Sequence, residues 1–575
     1  MSRTTRWSPL AAFGVIAIVF SACGGSASPS PSQASSAPAS APAASTAVSS
    51  APYAGKSYPD TAVDCASKPA GYTGEFSQIK AVDRLTVQFN LCSPDVAFLA
   101  KIAFSTNAIL DEDWLTAHAK DKTYVRTANG TGPYRFKEWI AGDHVTLEAN
   151  PDYWGDKKPI AKTLIFKWGD TAEKRLQDLQ AGQADGIDNV APDDFATVTG
   201  DSNLQLINRP PFTILYLGFN VDDPPWNNEA VRQAIAIGVD RKQITDTFNP
   251  PGDEVADFFT PCSVAGGCEG DKWYAFDRPK AIQMLKDAKF DFGKTYDLYF
   301  RPKVRGYFPN PPGVATEIQA QFKELGITLK IHTEDNSTYI DNSNLGKYSL
   351  FLLGWGGDYP DMTDFLDYHF GTGAQKAFGT KFSDLTALLT QAAAETDATK
   401  RLDLYKQANN LVRQHVPMIP INHASSAAAY KADVTGAQAG PLGNDAFWVV
   451  KPGDRDTLVF EQNAETQGLY CGDESDGDSL RNCEQIYDPL YTYSIGGADV
   501  VPNLATECKP STDLKVWTCT LRDGVKFHDG AALDANDVVA TYAAMWDKKN
   551  PNHVGNGGTF EYWGGLWGGF LNPAP

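Results

Sequence analysis

The sequence predicts an α/β protein of more than one lobe that works outside the cytoplasm. Three observations carry this. First, helical and strand periods alternate through the middle of the chain: amphipathic stretches at Pro279 to Ala288 and Val314 to Leu325 precede the alternating strand Ile327 to Ile331 and the buried run Ser349 to Leu353. That order builds a sheet with helices on its faces. Second, the chain has 575 residues, which at roughly 150 per domain makes two to four domains. Third, an N-terminal export pattern stands beside a cysteine inventory suited to an oxidising compartment.

Arg3 and Arg6 precede an apolar run, Leu10 to Phe20, that is too short to span a bilayer as a stable helix and ends in Ser21-Ala22-Cys23. This is the layout of an export signal over residues 1–23. The small residues before Cys23 resemble a lipoprotein signal, in which that cysteine is lipidated and becomes the mature N-terminus. Phe20 stands where leucine is more usual, and secretion with cleavage nearby is the alternative. Residues 24–56 are almost all Ser, Ala, Pro and Gly, a composition that cannot bury enough apolar surface to fold, so they read as a disordered tether. No later stretch is long and apolar enough for a transmembrane helix. Setting Cys23 aside leaves an even number of cysteines, with pairing expected between Cys262 and Cys268, Cys471 and Cys483, Cys508 and Cys519, and by elimination Cys65 and Cys92. No C-x-x-C pair occurs and the 8 histidines are scattered, which gives no zinc site. A net charge of −20 argues against a nucleic-acid partner, whose phosphates need a basic surface.

In chain order, Asp83 to Leu91 alternates as a half-buried strand should, and a helical segment follows around Asp95 to Ala103. Strands are expected at His144 to Glu148, Lys162 to Trp168 and Ile214 to Val221. Helices are expected at Thr171 to Ala181 and from Asn228, with a lobe boundary near Asp240. The second lobe closes with the helix Ala398 to Gln414 and the apolar run Pro417 to Ile421. The turn Pro452 to Asp456 is short enough to join neighbouring strands of one sheet before a new strand, Thr457 to Phe460. The stretch Tyr348 to Asp361 stands out. Its buried strand is expected to stop at Gly354 and hand over to a loop with Trp355, Asp358, Tyr359 and Asp361, and the end of such a strand is where open α/β sheets place a ligand.

Near the C-terminus, Leu521 to Gly530 reads L-R-D-G-V-K-F-H-D-G, followed by Leu533, Asp537-Val538-Val539 and Tyr542. This strongly resembles a signature of the extracellular solute-binding protein family 5, the oligopeptide-, dipeptide- and nickel-binding receptors of ABC importers. Further matches are Tyr487 to Leu490, Pro502 to Ala505, Gly130 to Tyr134, Asn150 to Gly155, Val231 to Ile235 with Asp240-Arg241, and Gly354 to Asp361. The order departs from the family, whose members begin with the segments that come last here, so the chain resembles a circular permutation; a truncated second copy is the competing account. The resemblance implies a two-lobed periplasmic-binding-protein-like fold (type II, cluster C) with an extra small subdomain. The subdomain would be assembled from 57–130 and 501–575, lobe I from 131–240 and 426–500, and lobe II from 241–425, with the family's ends rejoined at 452–456. It also implies a monomeric, non-enzymatic, extracytoplasmic membrane lipoprotein without a cofactor. Such a protein hands a peptide or other small solute to a membrane permease. A sensory receptor of the same fold and an extracellular hydrolase are the alternatives.

The resemblance places the ligand between the lobes and gives Asp358 the role of holding its α-ammonium. The alternative is that Asp358 caps a turn, with Asp361 and Asp364 as solvated neighbours. Trp355 and Tyr359 would form flat walls or pack the lobe, with the backbone of Gly356 and Gly357 between them. Arg305, beside Arg301 and Lys303, would meet a ligand carboxylate or be solvated, and Asn463 and Glu465 follow the permuted first strand. The arginine pair of dipeptide-binding relatives is replaced by Pro312-Gly313. The acidic segment Cys471 to Cys483 misses the spacing of a calcium loop and reads as a solvated loop pinned by a disulfide. His528 reads as structural. No G-x-S-x-G, H-E-x-x-H or paired nucleophile and base is present.

Overall fold

Three large sheets, of five, six and seven strands, carry the chain in a computed structural model that describes residues 53–573 apart from 170, 251 and 304. The export signal, Cys23 and the tether up to residue 52 lie outside the described residues. Among the described residues no helix is long and apolar enough to cross a membrane.

The seven-stranded sheet of lobe I runs in the order Tyr134–Ile140, His144–Ala149, Thr163–Trp168, Thr457–Gln462, Gly186–Ile187, Ser426–Lys431, Leu204–Arg209. Thr457–Gln462 lies parallel to both its neighbours, Thr163–Trp168 and Gly186–Ile187, so a segment far along the chain forms the sheet's centre. Its Leu458 and Phe460 are fully buried, as a strand covered on both faces requires. The turn before it joins two different sheets, contrary to expectation. Lys451–Pro452 pairs with Val434–Thr435 in a separate ribbon, because Arg455 turns back to Asp433 and Asp185.

Lobe II holds the six-stranded sheet Glu254–Val255, Met418–His423, Thr213–Phe219, Leu350–Gly356, Thr295–Phe300, Thr328–Thr333. Here the boundary expected near Asp240 is corrected. Thr213–Phe219 pairs with Leu350–Gly356 and Met418–His423, so the chain crosses into lobe II just after Arg209 and returns between His423 and Ser426. The reason is burial: Ile214, Leu215, Leu217 and Phe219 have no exposed surface, a run that only a central strand can cover. Asp240 is an N-cap, accepting from Gln243 N–H at 2.9 Å, and its helix-start signal marks an element within lobe II.

The five-stranded subdomain sheet, Ser57–Tyr58, Phe76–Asp83, Thr86–Leu91, Val516–Leu521, Ala505–Pro510, takes three strands from one end of the chain and two from the other. Thr86–Leu91 and Val516–Leu521 pair antiparallel, with Phe89 opposite Trp517. The expected strand Asp83 to Leu91 is formed over Thr86–Leu91 as the second arm of a hairpin with Phe76–Asp83, its first residues making the turn, where Asp83 Oδ1 accepts from Leu85 N–H at 2.9 Å. Helix Ala535–Trp546 lies on this sheet, where the Trp546 ring meets Phe76 at 5.6 Å and Tyr72 at 6.0 Å. Tyr58 and Asn572 both donate to the Asp547 carboxylate, so the first and last described segments meet. Residues of the expected tether before 57 also make contacts. Tyr53 Oη donates to Asp534 at 3.0 Å and Lys56 N–H to Asn536 at 2.8 Å, because Tyr53 brings a ring and a hydroxyl that the Ser/Ala/Pro stretch lacks.

Asp488 draws four of the sequence motifs together. Its carboxylate accepts from Thr131 Oγ1 at 2.9 Å, Trp154 Nε1 at 3.0 Å and Asn503 Nδ2 at 3.1 Å. The glycines of G-T-G are needed for this close approach: a Cβ on Gly130 would stand 2.0 Å from Ile486 O. His528 accepts from Gly130 N–H at 3.3 Å and donates from Nε2 to Gly132 O at 3.0 Å. Burial pushes its pKa down to about 4, as a neutral structural imidazole requires. All four expected disulfides are formed.

Candidate functional site

The strand Leu350–Gly356 runs two residues past the stop expected at Gly354. Gly354 continues it because Ile214 O and the Tyr307 ring would each lie 2.4 Å from a Cβ there. The chain then turns over Gly357, whose N–H donates to Phe212 O at 3.0 Å and whose absent side chain leaves room for the Phe212 ring. Gly356 is exposed at the strand's end. Asp364, 3% exposed, is the residue that caps the turn, accepting from Asp358 N–H at 2.7 Å. Asp361 pairs through both oxygens with Arg401, at 2.7 and 2.9 Å. Neither is a solvated neighbour, and the Asp358 carboxyl is left to point elsewhere.

It meets the far end of the chain. The Tyr562 hydroxyl and the Glu561 charge both act on the Asp358 carboxyl. Both belong to helix Glu561–Trp567. Burial, chiefly, and then the Glu561 charge push Asp358 up to about 7, against the pull of the Tyr562 hydroxyl. Asp364 is pushed well above the usual carboxylate range, first by burial and then by Asp358. Trp355 stacks on Tyr368 with ring centroids 4.3 Å apart, and Tyr562 packs edge-on against Phe104 at 4.8 Å. Among the described residues no lysine or arginine forms an ion pair with Asp358. Carboxyls crowded at one point beside aromatic faces attract a cation and repel an anion.

Glu561 and Tyr562 are positioned by a feature that contradicts the expected solvated acidic loop. Asp473, 5% exposed, accepts from the backbone N–H of Gly557 and Gly558 at 2.7 Å and of Phe560 at 2.9 Å. Phe560 is held at φ 46°, a left-handed conformation costly for a bulky residue, immediately before the helix. Its ring is fully buried, stacking on His553 at 4.0 Å, and that burial offsets the strain.

The other candidate residues are placed apart from this cluster. Tyr359 is buried with the aromatic core of lobe I and the subdomain, its hydroxyl 3.1 Å from Thr363 Oγ1, and it anchors the loop. Arg305 is exposed at a turn bridged to Phe308, whereas the buried arginine of that segment, Arg301, donates to Tyr307 Oη at 2.9 Å. Asn463 Nδ2 donates to Asp188 at 3.3 Å, within a buried ion cluster of lobe I. Glu465 accepts from Trp139 Nε1 at 3.0 Å and Gly142 N–H at 3.2 Å, pinning the first hairpin of lobe I. Pro312-Gly313 stand where a helix starts, and its cap is Asn310, which accepts from Gly313 N–H at 3.0 Å. Glu561, Tyr562 and Asp473 carry no motif that marks them for the site. The one local signal was aromatic and acidic residues following the glycine run 555–558.

Two α/β lobes joined by two chain crossings, with an acidic and aromatic loop of lobe II near a helix of the subdomain, define a two-lobed solute-binding protein. The chain belongs to the bacterial extracellular solute-binding proteins of family 5, whose middle-region profile matches residues 38–377 and 499–560. It is 29% identical over 379 residues to the dipeptide-binding protein of Escherichia coli K12, covering 64% of this chain and 70% of that protein. It is equally 29% identical over 380 residues to heme-binding protein A of Haemophilus influenzae, covering 65% and 69%. The solved structure of HbpA2 from Haemophilus parasuis matches with a TM-score of 0.61 at 27% identity, over 66% of this chain and 76% of that one.

Proposed function

We propose that this protein captures an amine-bearing solute, peptides foremost, between its lobes and passes it to the membrane permease of an ABC importer while a lipid on Cys23 holds it at the membrane. The observation that carries this is the position of Asp358, which leaves the lobe II loop unpaired with any base and meets Tyr562 and Glu561 across the cleft. An ammonium group there would make charge-assisted hydrogen bonds in a poorly solvated place. The dipeptide-binding relative supports a peptide ligand, and the heme-binding relative shows how widely the family's ligands differ. The shared subdomain sheet and the meeting of Tyr58 and Asn572 on Asp547 support reading the chain as a circularly permuted member, since permutation needs neighbouring ends.

Asp358→Asn is expected to weaken binding of free-amine peptides by about 30-fold or more, the range for truncating one side of a buried charge pair, and to leave N-acetylated peptides almost unaffected. Isothermal titration with matched peptides checks this, and an equal loss for both removes Asp358 from the role. Because Asp358 titrates near 7 and binds an ammonium as the carboxylate, affinity should rise from pH 6 to pH 7.5. It should fall again as the peptide amine loses its proton around 8.

A further inference from the structure

A recess lies where lobe I meets the subdomain, next to the Asp358 cluster. Its volume is about 230 Å³, far beyond the ~10–15 Å³ that one buried water needs. Tyr153, Trp448, Tyr487, Tyr493 and Val501 give it apolar walls, and Ile495, 43% exposed, marks its rim. Two chain segments tie it to Asp358. Tyr493, whose hydroxyl donates to Ala100 O at 2.9 Å, lies near enough to Asp358 and Asp364 to feel both charges. Ala103 and Ser105 line the recess, and Phe104 between them packs edge-on against Tyr562 at 4.8 Å, the ring whose hydroxyl acts on Asp358.

Three carboxyl groups lie in the lining, and each is engaged within the protein. Asp488 accepts from Thr131, Trp154 and Asn503, and Asp445 from Arg209 and the Gly440 N–H. Glu484 interacts with Ser105 and Arg481. Among the described residues no lysine or arginine lines the recess. A basic guest therefore finds no free counter-charge there, and an acidic guest finds only carboxyls. A neutral apolar group finds rings to pack against, and moving a phenylalanine- or leucine-sized side chain out of water into such a place is worth about tenfold or more in affinity.

We propose, on the reading that Asp358 holds the ligand's ammonium, that this recess takes the side chain of the same ligand residue. The solute is then an amine with a neutral apolar body, such as a peptide that begins with phenylalanine or leucine. Every lining residue belongs to lobe I or the subdomain, whereas Asp358 follows the lobe II strand Leu350–Gly356. One ligand residue thus touches both halves of the protein, its body on one and its ammonium on the other. A solute that makes both contacts only when the lobes are together favours the closed form by that difference.

Calorimetric titration of the full chain with Phe-Gly-Gly, Gly-Gly-Gly, Gly-Gly-Phe and Glu-Gly-Gly tests this. Phe-Gly-Gly is expected to bind about tenfold or more tightly than Gly-Gly-Gly, while Gly-Gly-Phe and Glu-Gly-Gly gain less than about threefold. Val501→Phe fills the recess and Ile495→Trp narrows its exposed rim, and either should shrink the ratio between Phe-Gly-Gly and Gly-Gly-Gly to about twofold. Thermal melts check that each variant is folded. Equal affinity for Phe-Gly-Gly and Gly-Gly-Gly, an equal gain from Gly-Gly-Phe, no binding of Phe-Gly-Gly, or a ratio that both variants leave intact overturns the proposal. Failure of the Asp358 role reads differently: N-acetylated Phe-Gly-Gly would bind as tightly as the free amine while the preference for a leading phenylalanine stayed, which removes Asp358 and keeps the apolar pocket.

Discussion

Arg481→Met is expected to destabilise the protein by about 3–5 kcal/mol, the range for removing one partner of a buried ion pair. Arg481 is 5% exposed and Asp188 3%. Arg481 Nη2 donates to Asp188 at 2.6 Å and Nη1 to Asp478 at 3.0 Å, while Arg209 Nη2 reaches both Asp188 and Asp445 at 3.1 Å. Arg175 closes the group by donating to Asp188 O at 3.0 Å and Gly169 O at 2.7 Å. The cluster thus fastens helix Gly477–Ile486 to the rest of lobe I. Methionine keeps the length of the side chain but leaves two carboxylates short of a counter-charge.

Urea denaturation at neutral pH measures the loss, and a change below about 1 kcal/mol would mean that solvent already compensates these charges. Asp188 is held well below the ordinary carboxylate range, against its own burial, by Arg481 and then Arg209. A depressed carboxylate stabilises fully above its unfolded pKa of about 4 and loses that stabilisation as pH falls further. The gap between wild type and Arg481→Met should therefore hold down to about pH 4 and narrow below it.

Trp546→Ala is expected to cost about 3–5 kcal/mol, as for other fully buried tryptophans. Trp546 has no exposed surface, and its ring contacts Tyr58, Tyr72 and Phe76. The informative readout is where the loosening spreads. Hydrogen exchange should accelerate in residues 76–91, more than 450 positions earlier in the chain, as well as in 505–546, while the sheet of lobe II stays protected. Acceleration confined to 505–546 would mean that the two ends do not form one cooperative unit.

Much of this architecture was legible in the sequence because the signals are local. The alternating and apolar runs gave most of the strands, and the cysteine count gave the four bridges. The motif at Leu521 to Gly530 led to the family and to the order of its segments. What the sequence misplaced depends on distant partners. The helix-start residues at Asp240 read as a boundary, although the pairing of Thr213–Phe219 had already carried the chain into lobe II. Asp361 and Asp364 read as solvated acids, yet Arg401 and the backbone of the loop consume them. Asp358 could be singled out from its loop, but its facing partners are some 200 residues away in sequence, and their placement rests on Asp473 clamping the turn before Phe560. Asn463 and Glu465 sit in the expected loop. Their hydrogen bonds run into lobe I, a direction that spacing alone does not encode.

If one solute clamp is assembled from both ends of the chain, reordering the chain tests that assembly most directly. A variant running 453–573, a short flexible linker, then 53–452 puts the segments in the order expected of the family and opens the chain between Pro452 and Gly453. If the clamp is as described, this variant folds and binds free-amine peptides within about threefold of the natural order, since every contact is kept and only the connection changes. A reordered chain that folds yet fails to bind, or cannot fold while the natural order does, would contradict the account.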